Sequence, residues 1–508
     1  MPRTARTSDL MWQRLFRRFE AEATTLQGQL RDMVVHGVIE GFLQPGDALP
    51  SSRLLAQTLG LSRTTVSLAL NALVDRGFLV ARARSGIFVS EAASPHTGRA
   101  APSAADAPGS APPDDRWRDR WCVRLKLTPS TQRNIEKPND WQQQPYPFVY
   151  GQFDATLFPF RDWRRCALAS LEARAVRRWA PDHMDRDHEA LVEQVHARLL
   201  PARGIWVERE QILITSGAQQ GLFLLAQLLM SETTEVGMEM PGYPDARNNF
   251  ALRTQRLRGL PVDDQGLVPG PELVGCDYVF VTPSHQCPTT VTLSMARRQA
   301  LLAQAERDDF IVIEDDHESE LNFAAQPTPA LKSLDAAQRV IYLGSLSKTL
   351  AHGLRLGFIV APTELIRELR ALRRLMMRHV PSNNQQAAAS FIAHGFHEAY
   401  VRRLVATYRE RARTLRQALA RHAAQLVPAA ANGGSALWVS GPPGLDTQAL
   451  ARSLYAEGVV VEPGAVFYPE RDQPCARMRI GYSSIAVDRI DAGVQRLAQV
   501  MAAHLPKA

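Results

Sequence analysis

The chain has 508 residues, with 59 Lys+Arg against 52 Asp+Glu, so its formal net charge is +7. This length exceeds one ordinary domain, and two or three domains are expected. With 45% hydrophobic and 22% charged residues, the composition excludes disorder over the whole chain. No apolar run reaches the ~18 residues of a membrane-spanning helix, so no membrane partner is predicted, and the N-terminal segment lacks the apolar core of a secretory signal.

The five cysteines are scattered, odd in number and without any C-x-x-C spacing. This pattern argues against a disulfide framework and against a zinc site, so no metal is predicted. Unpaired cysteines fit a reducing compartment, and we therefore expect a cytoplasmic protein.

The net charge is concentrated at the N-terminus, because residues 1–90 carry 11 arginines against 7 acidic residues. A local basic excess of this kind hints at a polyanionic partner. The following residues 91–115 are rich in Ala, Pro, Ser and Gly, a composition that predicts a linker. From about residue 117, short apolar runs alternate with amphipathic segments, which predicts βα units and a mainly parallel sheet.

The N-terminal region has the pattern of a winged helix-turn-helix. A first helix is predicted from Leu26 to Glu40, where Gly41 ends it. Ser51 or Ser52 can cap a second, short helix, whose predicted inward residues are Leu54, Leu55 and Leu59. A tight turn with Gly60 leads to a third helix, whose predicted buried residues are Val66, Leu70, Leu73 and Val74. Two short strands around a basic turn form the predicted wing.

Two helices joined by a tight turn, the second starting with short polar groups and an arginine, have the geometry that enters a DNA major groove. Arg63 could read guanine, whereas Arg53 would hold phosphate. Capping serines and exposed arginines also occur on helical modules that do not bind DNA. For each residue taken alone, a purely structural role therefore remains an alternative. The predicted DNA-contacting residues are Ser51, Ser52, Arg53, Ser62, Arg63, Thr64, Thr65, Ser67, Arg82, Arg84 and Gly86.

This region closely resembles the GntR family of bacterial regulators. The resemblance covers about residues 25–90 and rests on PGDALPSSRLLAQTLGLSRTTVSLALNALVDRGFLVARARSGIFV. It implies that the partner is double-stranded DNA, with an operator of repeated half-sites.

Two segments of the larger C-terminal region follow predicted strands and could hold a flat, phosphorylated ligand. In ILITSGAQQGLFLL a strand ends and a helix begins, which makes a phosphate cradle at the helix N-terminus. In EMPGYPDAR, Tyr243 follows a strand, where it could stack on a ring or simply pack on a neighbouring loop. The predicted cradle residues are Ser216, Gly217, Ala218 and Gln219.

Two further segments carry the charged groups. In IVIEDDHESELNF, Asp315 stands at the carboxyl end of a buried strand, where α/β sheets bind ligands. A carboxylate there could pair with a protonated pyridine nitrogen or belong to an acidic cluster at a helix start. In VIYLGSLSKTLAHGLRLGF, a partly desolvated Lys348 could form a Schiff base. The predicted phosphate-binding side chains in this segment are Ser345, Ser347 and Arg355.

In their order along the chain, these segments resemble the fold-type I pyridoxal 5'-phosphate (PLP) enzymes, the aspartate aminotransferase class, over roughly residues 145–505. The resemblance implies that Lys348 forms the Schiff base with PLP and that Asp315 partners the ring nitrogen. It also implies that Tyr243 lies near the ring and that Arg479, in RMRIGYSS, grips the carboxylate of an amino acid.

The order of the modules resembles that of the MocR/GabR-type regulators, in which an amino acid or amine effector reacts with or displaces the lysine bound to PLP. The resemblance implies an α+β winged helix-turn-helix, a linker and an α/β aminotransferase-like domain, in a head-to-tail homodimer. The predicted domains are residues 20–90, a flexible linker at 91–140 and an effector domain at 141–508. The effector domain divides into a large domain, about 180–380, and a small one, about 381–508.

The chain departs from the family pattern in three places. His317 stands where the family has a tyrosine that hydrogen-bonds the cofactor, and an imidazole normally titrates near neutrality. Cys287 stands where aminotransferases commonly have asparagine, and His285 or Gln286 is an alternative for its role. The segment RRWAPDHMDRDH replaces the family's Tyr-Gly before its first long helix, from which the partner subunit of the family donates a phosphate contact. These changes suggest altered effector selectivity and weaker turnover.

Three functions remain to be weighed. The first is a DNA-binding regulator that senses an amino compound through PLP bound to Lys348. The second is a working aminotransferase with a fused, autoregulatory DNA-binding domain, and His317 and Cys287 count against it. The third is a PLP fold kept only as a scaffold, and Lys348, Asp315 and Arg355 count against it.

Overall fold

A computed structural model describes residues 9–19, 25–83, 85–93, 121–324, 328–469 and 475–505. The chain divides into two compact units, Met1–Arg124 and Leu125–Ala508. Most of the predicted linker lies outside the described residues. Its predicted end at residue 140 is too late, because residues 125–140 belong to the second unit. For example, Gln132 Nε2 donates a hydrogen bond to the carbonyl oxygen of Asn248 at 3.0 Å.

The first unit contains four helices and a two-stranded antiparallel sheet. Thr25, Ser51 and Ser62 begin three of the helices, each accepting a backbone hydrogen bond with its side-chain oxygen. Such caps satisfy N–H groups that have no partner within the helix. Gly60 ends the short helix in the left-handed conformation. The elements are α1 (Asp9–Arg18), α2 (Leu26–Ile39), α3 (Ser52–Leu59), α4 (Arg63–Asp75), β1 (Leu79–Arg82) and β2 (Gly86–Val89).

A hydrophobic core holds α2, α3 and α4 together. On α4, Val66, Leu70 and Leu73 are buried as predicted, whereas Val74 is only half-buried. The prediction that Leu54 faces inward is wrong, because 48% of its surface is exposed. A helix of eight residues has only about two turns. That is too few for the hydrophobic pattern alone to identify its buried face.

The second unit is built around a mixed, mainly parallel sheet of eight strands, in the order β4-β11-β10-β9-β8-β5-β6-β7. Strand β11 is antiparallel to both neighbours and β7 is antiparallel to β6, while the other pairs are parallel. The mainly parallel sheet predicted from the sequence is thus confirmed. Its strands are β4 (Ile212–Thr215), β5 (Val236–Met240), β6 (Leu257–Asp263), β7 (Gly266–Leu267), β8 (Tyr278–Val281), β9 (Ile311–Asp315), β10 (Val340–Ser345) and β11 (Gly357–Val360).

Successive residues of the central strands enter different hydrophobic clusters. On β9, Val312 packs in one cluster and Ile313 in another, and Val340 and Ile341 of β10 divide in the same way. Side chains alternate between the faces of a sheet, so both faces are covered, as parallel sheets require. Burial of each such side chain contributes about 1.5–3 kcal/mol.

Helices surround this sheet, and a four-stranded antiparallel sheet follows in the order β12-β13-β16-β15. The helices are α5 (Phe160–Ala169), α6 (Ala173–Trp179), α7 (Glu189–Gln194), α8 (Gly217–Leu229), α9 (Pro244–Ala251), α10 (Met295–Asp308), α11 (Thr363–Met377), α12 (Ser382–Ala393), α13 (Phe396–His422), α14 (Thr447–Ala456) and α15 (Val487–Met501). The remaining strands are β3 (Tyr146–Pro147), β12 (Val427–Pro428), β13 (Ala436–Ser440), β14 (Val459–Val460), β15 (Glu462–Pro463) and β16 (Arg477–Gly481). Within the described part of the chain, no helix is long and apolar enough to span a bilayer.

Candidate functional site

A cavity of about 330 Å³ lies beyond the carboxyl ends of β4, β5, β9 and β10. This is the edge at which open α/β sheets bind ligands. It brings together residues that are far apart in the sequence. Its lining residues are Ile135, Lys137, Tyr150, Gln152, Ala218, Gln219, Tyr243, Asp245, Cys287, Asp315, His317, Ser345, Ser347, Lys348, His352, Arg355 and Arg479.

One part of the cavity collects hydrogen-bond donors at the start of α8. Gly217 opens this helix with a φ of +77°, and a Cβ atom there would lie 3.1 Å from Arg355 Nη2. The same guanidinium donates a hydrogen bond to the carbonyl oxygen of Ser216 at 3.2 Å. The Ser347 hydroxyl is buried without a hydrogen-bond partner among the described residues. A helix N-terminus beside an arginine and free hydroxyls suits a phosphate.

Lys348 is enclosed where the chain after β10 meets residues 150–151. Its Nζ lies 4.5 Å from the ring centroid of Tyr150, and a Cβ atom on Gly151 would lie 2.5 Å from Nζ. Burial lowers the pKa of Lys348, because a charged ammonium loses its hydration there. A lysine with a lowered pKa is more often neutral, which makes it a better nucleophile.

Asp315 and His317 lie side by side on the chain that leaves β9. Burial, together with the nearby Asp316 carboxylate, raises the pKa of Asp315 to about 7, and its Oδ1 has no hydrogen-bond partner among the described residues. Burial and the nearby Lys348 lower the pKa of His317 to about 3. His317 is therefore neutral at pH 7, and the expectation that it titrates near neutrality is wrong.

Tyr243 follows β5 and is joined to the start of α8. Gln219 Nε2 donates a hydrogen bond to the Tyr243 hydroxyl at 2.9 Å, and this hydroxyl donates to Asp245 Oδ2 at 3.0 Å. Tyr243 also lines the cavity, so it does more than pack on a neighbouring loop. Its ring is held in place by hydrogen bonds at its polar end.

Arg479 on β16 is 1% exposed. Its Nε donates to Glu462 Oε2 at 2.6 Å, and its guanidinium carbon lies 3.8 Å from the ring centroid of Tyr150. Nη2 has no hydrogen-bond partner among the described residues. A buried donor without an acceptor costs about 1–3 kcal/mol of free energy. The arrangement therefore favours a ligand that brings an acceptor oxygen.

Of the three residues considered for the position of the family's asparagine, only Cys287 lines the cavity. Its Sγ lies 3.9 Å from Arg479 Nη1, and burial raises the pKa of its thiol to about 12. Gln286 instead donates to the carbonyl oxygen of Pro241 at 2.8 Å. At this position the cavity therefore presents a neutral thiol, a weak donor.

Six lining residues were not predicted from the sequence: Ile135, Lys137, Tyr150, Gln152, Asp245 and His352. Tyr150 and Gln152 lie in VYGQFDATLFPFRDWRR, a stretch that itself resembles the family, so a residue-by-residue comparison could have found them. Lys137 lies in the predicted linker, and no sequence motif around it indicates that it lines a cavity.

The predicted DNA-contacting residues lie on α3, on α4 and in the wing of the first unit. Ser51 and Ser62 use their hydroxyls as helix caps, accepting from Leu54 N at 3.2 Å and Thr65 N at 3.0 Å. The guanidinium carbon of Arg82 lies 4.7 Å from the ring centroid of Phe88. Arg84 lies outside the described residues. The exposed members of the set are Ser51, Arg53, Ser62, Arg63, Thr64, Arg82 and Gly86, and the half-buried ones are Ser52, Thr65 and Ser67.

The fold and the cavity define a fold-type I aminotransferase domain, in a chain that also carries a winged helix-turn-helix. The family described as aminotransferase class I and II matches residues 153–497, and the family of bacterial regulatory proteins, gntR family, matches residues 26–89. The crystal structure of Pyrococcus horikoshii kynurenine aminotransferase matches with a TM-score of 0.66 and 26% identity, over 80% of this chain and 98% of that one.

Two curated relatives share both modules. The HTH-type transcriptional regulator TauR of Rhodobacter capsulatus is 41% identical over 94% of this chain and 96% of its own length. The probable rhizopine catabolism regulatory protein MocR of Rhizobium meliloti is 31% identical over 92% of each. The chain belongs to the MocR/GabR-type subfamily of GntR regulators, as its sequence predicted.

PLP is the usual cofactor of the aminotransferase family, and three features of the cavity fit it. Ser347 Oγ and Asp315 Oδ1 are buried polar atoms without partners among the described residues, as a phosphate and a pyridine nitrogen would require. Gly217 leaves the start of α8 open to Arg355. Lys348, which lies against the Tyr150 ring, has a lowered pKa.

Proposed function

We propose that this protein is a DNA-binding transcriptional regulator that binds PLP in the cavity and responds to an amino acid or amine. The observation that carries the proposal is the meeting of Lys348, Asp315 and Arg355 in one cavity of a chain whose relatives are transcriptional regulators.

Each residue of the cavity has a separate task in this proposal. When bound, PLP supplies an aldehyde that condenses with amines and a ring that withdraws electrons. Lys348 would supply the amine that attaches it. Asp315 would accept a hydrogen bond from a protonated ring nitrogen, and such a bond favours the ionised carboxylate. The phosphate would be held by the start of α8 together with side chains of the β10 loop: Ser216, Gly217, Ala218, Gln219, Ser345, Ser347 and Arg355.

Tyr243 and His317 both line the cavity and would contact the cofactor. Because burial lowers the pKa of His317 to about 3, its neutral imidazole could donate one hydrogen bond and would add no charge there. Arg479 is proposed to bind the carboxylate of the effector, since its Nη2 lacks a partner and a guanidinium fork matches a carboxylate.

In the first unit, the start of α4 would enter the major groove and Arg63 would read bases, while Ser51 and Arg53 would bind phosphates. Repeated half-sites in the operator and a head-to-tail homodimer remain predictions from the family resemblance. Light scattering of the purified protein tests the dimer, and a footprint on DNA tests the operator.

The test of PLP binding is the visible absorbance of the purified protein with added PLP. We expect a visible band that Lys348→Ala removes and that the exposed Lys126→Ala retains. Borohydride reduction followed by mass spectrometry should place the modification at Lys348. A protein that stays colourless and unmodified with excess PLP contradicts the proposal, and sustained keto-acid production from an amino donor would assign the chain to the working aminotransferases.

A further inference from the structure

Lys137 is a positively charged residue of the cavity that lies outside the region matched by the aminotransferase family. It lies before residues 153–497 but lines the same cavity as Lys348 and Arg479. Its Nζ is 4.0 Å from Glu462 Oε1. Burial lowers the pKa of Lys137 to about 8, so the side chain is mainly protonated at pH 7.

The segment that carries Lys137, residues 132–137, is fixed to the rest of the unit at two places. Arg133 Nη2 donates to the carbonyl oxygen of Ala465 at 2.9 Å. Asn248 Nδ2 on α9 donates to the carbonyl oxygen of Arg133 at 2.9 Å. Arg133 makes both contacts, one through its side chain and one through its backbone carbonyl, and so holds the segment that places Lys137 at the cavity.

Two carboxylates lie near Lys137, but among the described residues neither makes a close hydrogen bond with its ammonium. Glu462 accepts from Arg479 Nε with Oε2, while its Oε1 lies 4.0 Å from Lys137 Nζ. Asp245 accepts hydrogen bonds from the uncharged side chains of Gln219 and Tyr243 and keeps its negative charge. The Lys137 ammonium can therefore take a closer oxygen partner from a ligand.

Buried polar atoms at the same site also lack partners. Among the described residues, Arg479 Nη2, His352 Nε2 and Glu462 Oε1 have no hydrogen-bond partner. Burial and the nearby cations lower the pKa of His352 to about 3, so it adds no positive charge of its own. Buried polar groups are normally satisfied, and an oxyanion would satisfy Arg479 and Lys137 together.

We propose that Lys137 determines effector specificity by binding, together with Arg479, the anionic oxygen group of an amine effector. The proposal rests on the proposed function, because it names the chemical class of compound that the cavity takes. A primary amine with a carboxylate, sulfonate or phosphonate group would bind, whereas an amine of the same length without an acidic group would leave Arg479 Nη2 and Lys137 Nζ without an acceptor oxygen. A charge-assisted hydrogen bond of this kind is strong because both partners are ionised.

The test compares amines in matched pairs on the full-length protein saturated with PLP. The pairs are glycine with ethylamine, β-alanine with n-propylamine, and δ-aminovalerate with n-pentylamine. Isothermal titration calorimetry gives the dissociation constant of each compound for wild type and for Lys137→Met, Lys137→Arg and Lys126→Met. Lys126→Met removes an exposed lysine of the same unit and is the matched control.

We expect at least one compound with an acidic group to bind wild type more tightly than its partner without one. Lys137→Met should weaken binding of that compound by about tenfold or more without weakening binding of the partner amine, and Lys137→Arg should restore most of the difference. Lys126→Met should behave as wild type. The proposal is overturned if no pair shows a preference, or if Lys137→Met weakens both members of a pair equally. A wild-type protein that binds no PLP overturns the proposed function instead.

Discussion

Asp187 is a single buried residue on which several elements depend. It is paired with Arg373 at 2.5 Å and with Arg370 at 2.7 Å, and it accepts a hydrogen bond from Ile214 N at 3.2 Å. Arg373 is itself fully buried. Asp187 therefore joins α11 to β4, the strand that leads to the start of α8.

Replacing Asp187 should strongly destabilise the second unit. In Asp187→Ala, Arg373 would remain buried without its counter-charge, and breaking such a pair costs about 3–5 kcal/mol of unfolding free energy. Asp182→Ala is the matched control, because its partner Arg378 is exposed and exposed pairs contribute about 1 kcal/mol or less. Urea unfolding monitored by circular dichroism measures both. Equal losses in the two variants would contradict the role assigned to Asp187.

Glu239, at the end of β5, should make stability depend on pH. Burial raises the pKa of Glu239 from 4.5 to about 7, so the folded protein keeps a proton that the unfolded chain has lost. The wild type therefore loses stability as the pH rises through this window, by up to about 1.4 kcal/mol per unit. In Glu239→Gln this dependence is absent. Urea unfolding at pH 5 and pH 7 measures the free energy of unfolding of both proteins. From pH 5 to pH 7 the wild type should become less stable relative to the variant, and a constant difference would count against the prediction.

Among the helices and strands, the start of α4 places a helix cap at a residue that is also a predicted DNA contact. The Ser62 hydroxyl accepts from Thr65 N at 3.0 Å and is exposed, so one side chain caps the helix and would also face DNA. The two roles require different chemistry. A cap needs only an acceptor oxygen, whereas a phosphate contact requires that the oxygen carry no negative charge.

Two substitutions at Ser62 should separate these roles. Ser62→Ala removes the cap, and we expect a loss of about 1 kcal/mol, seen as faster hydrogen exchange of α4 amides in the full-length protein. Ser62→Asp keeps an acceptor beside the positive end of the helix, so exchange should stay slow, while DNA affinity falls through repulsion by phosphates. If Ser62→Asp binds DNA as tightly as wild type, Ser62 does not face the DNA backbone.

In the molecule as a whole, two units with separate cores carry the two family modules. The first unit's core is formed by α1–α4 and the wing strands, and the sheet cores of the second unit share no residue with it. A change at the DNA-reading surface should therefore leave the cavity unaltered.

Substitutions in the first unit should change the affinity and sequence preference of DNA binding by the full-length protein. Arg63→Ala should cost about 1–3 kcal/mol on the preferred site and relax sequence preference, whereas Arg53→Ala should weaken binding to all duplexes alike. Arg76→Ala, at the other end of α4, is a control for loss of one charge. Fluorescence anisotropy with duplexes selected from a random pool measures all three, and PLP absorbance should not change. Identical behaviour of the three variants would contradict the predicted reading surface.

The amino-acid order alone was enough to predict the two modules, the mainly parallel sheet and the family. It could do so because helix caps, strand ends and the spacing of Ser345, Ser347, Lys348 and Arg355 are local patterns. It also singled out Cys287 and His317 as unusual, although the properties of both depend on burial.

The folded structure was needed to show how these residues meet and what charge they carry. It brought Lys137 and Tyr150 to the cavity, gave Arg479 the partner Glu462, and made His317 neutral. Long-range packing determines such contacts and the loss of hydration that shifts a pKa, and neither can be read from the residues next in the chain.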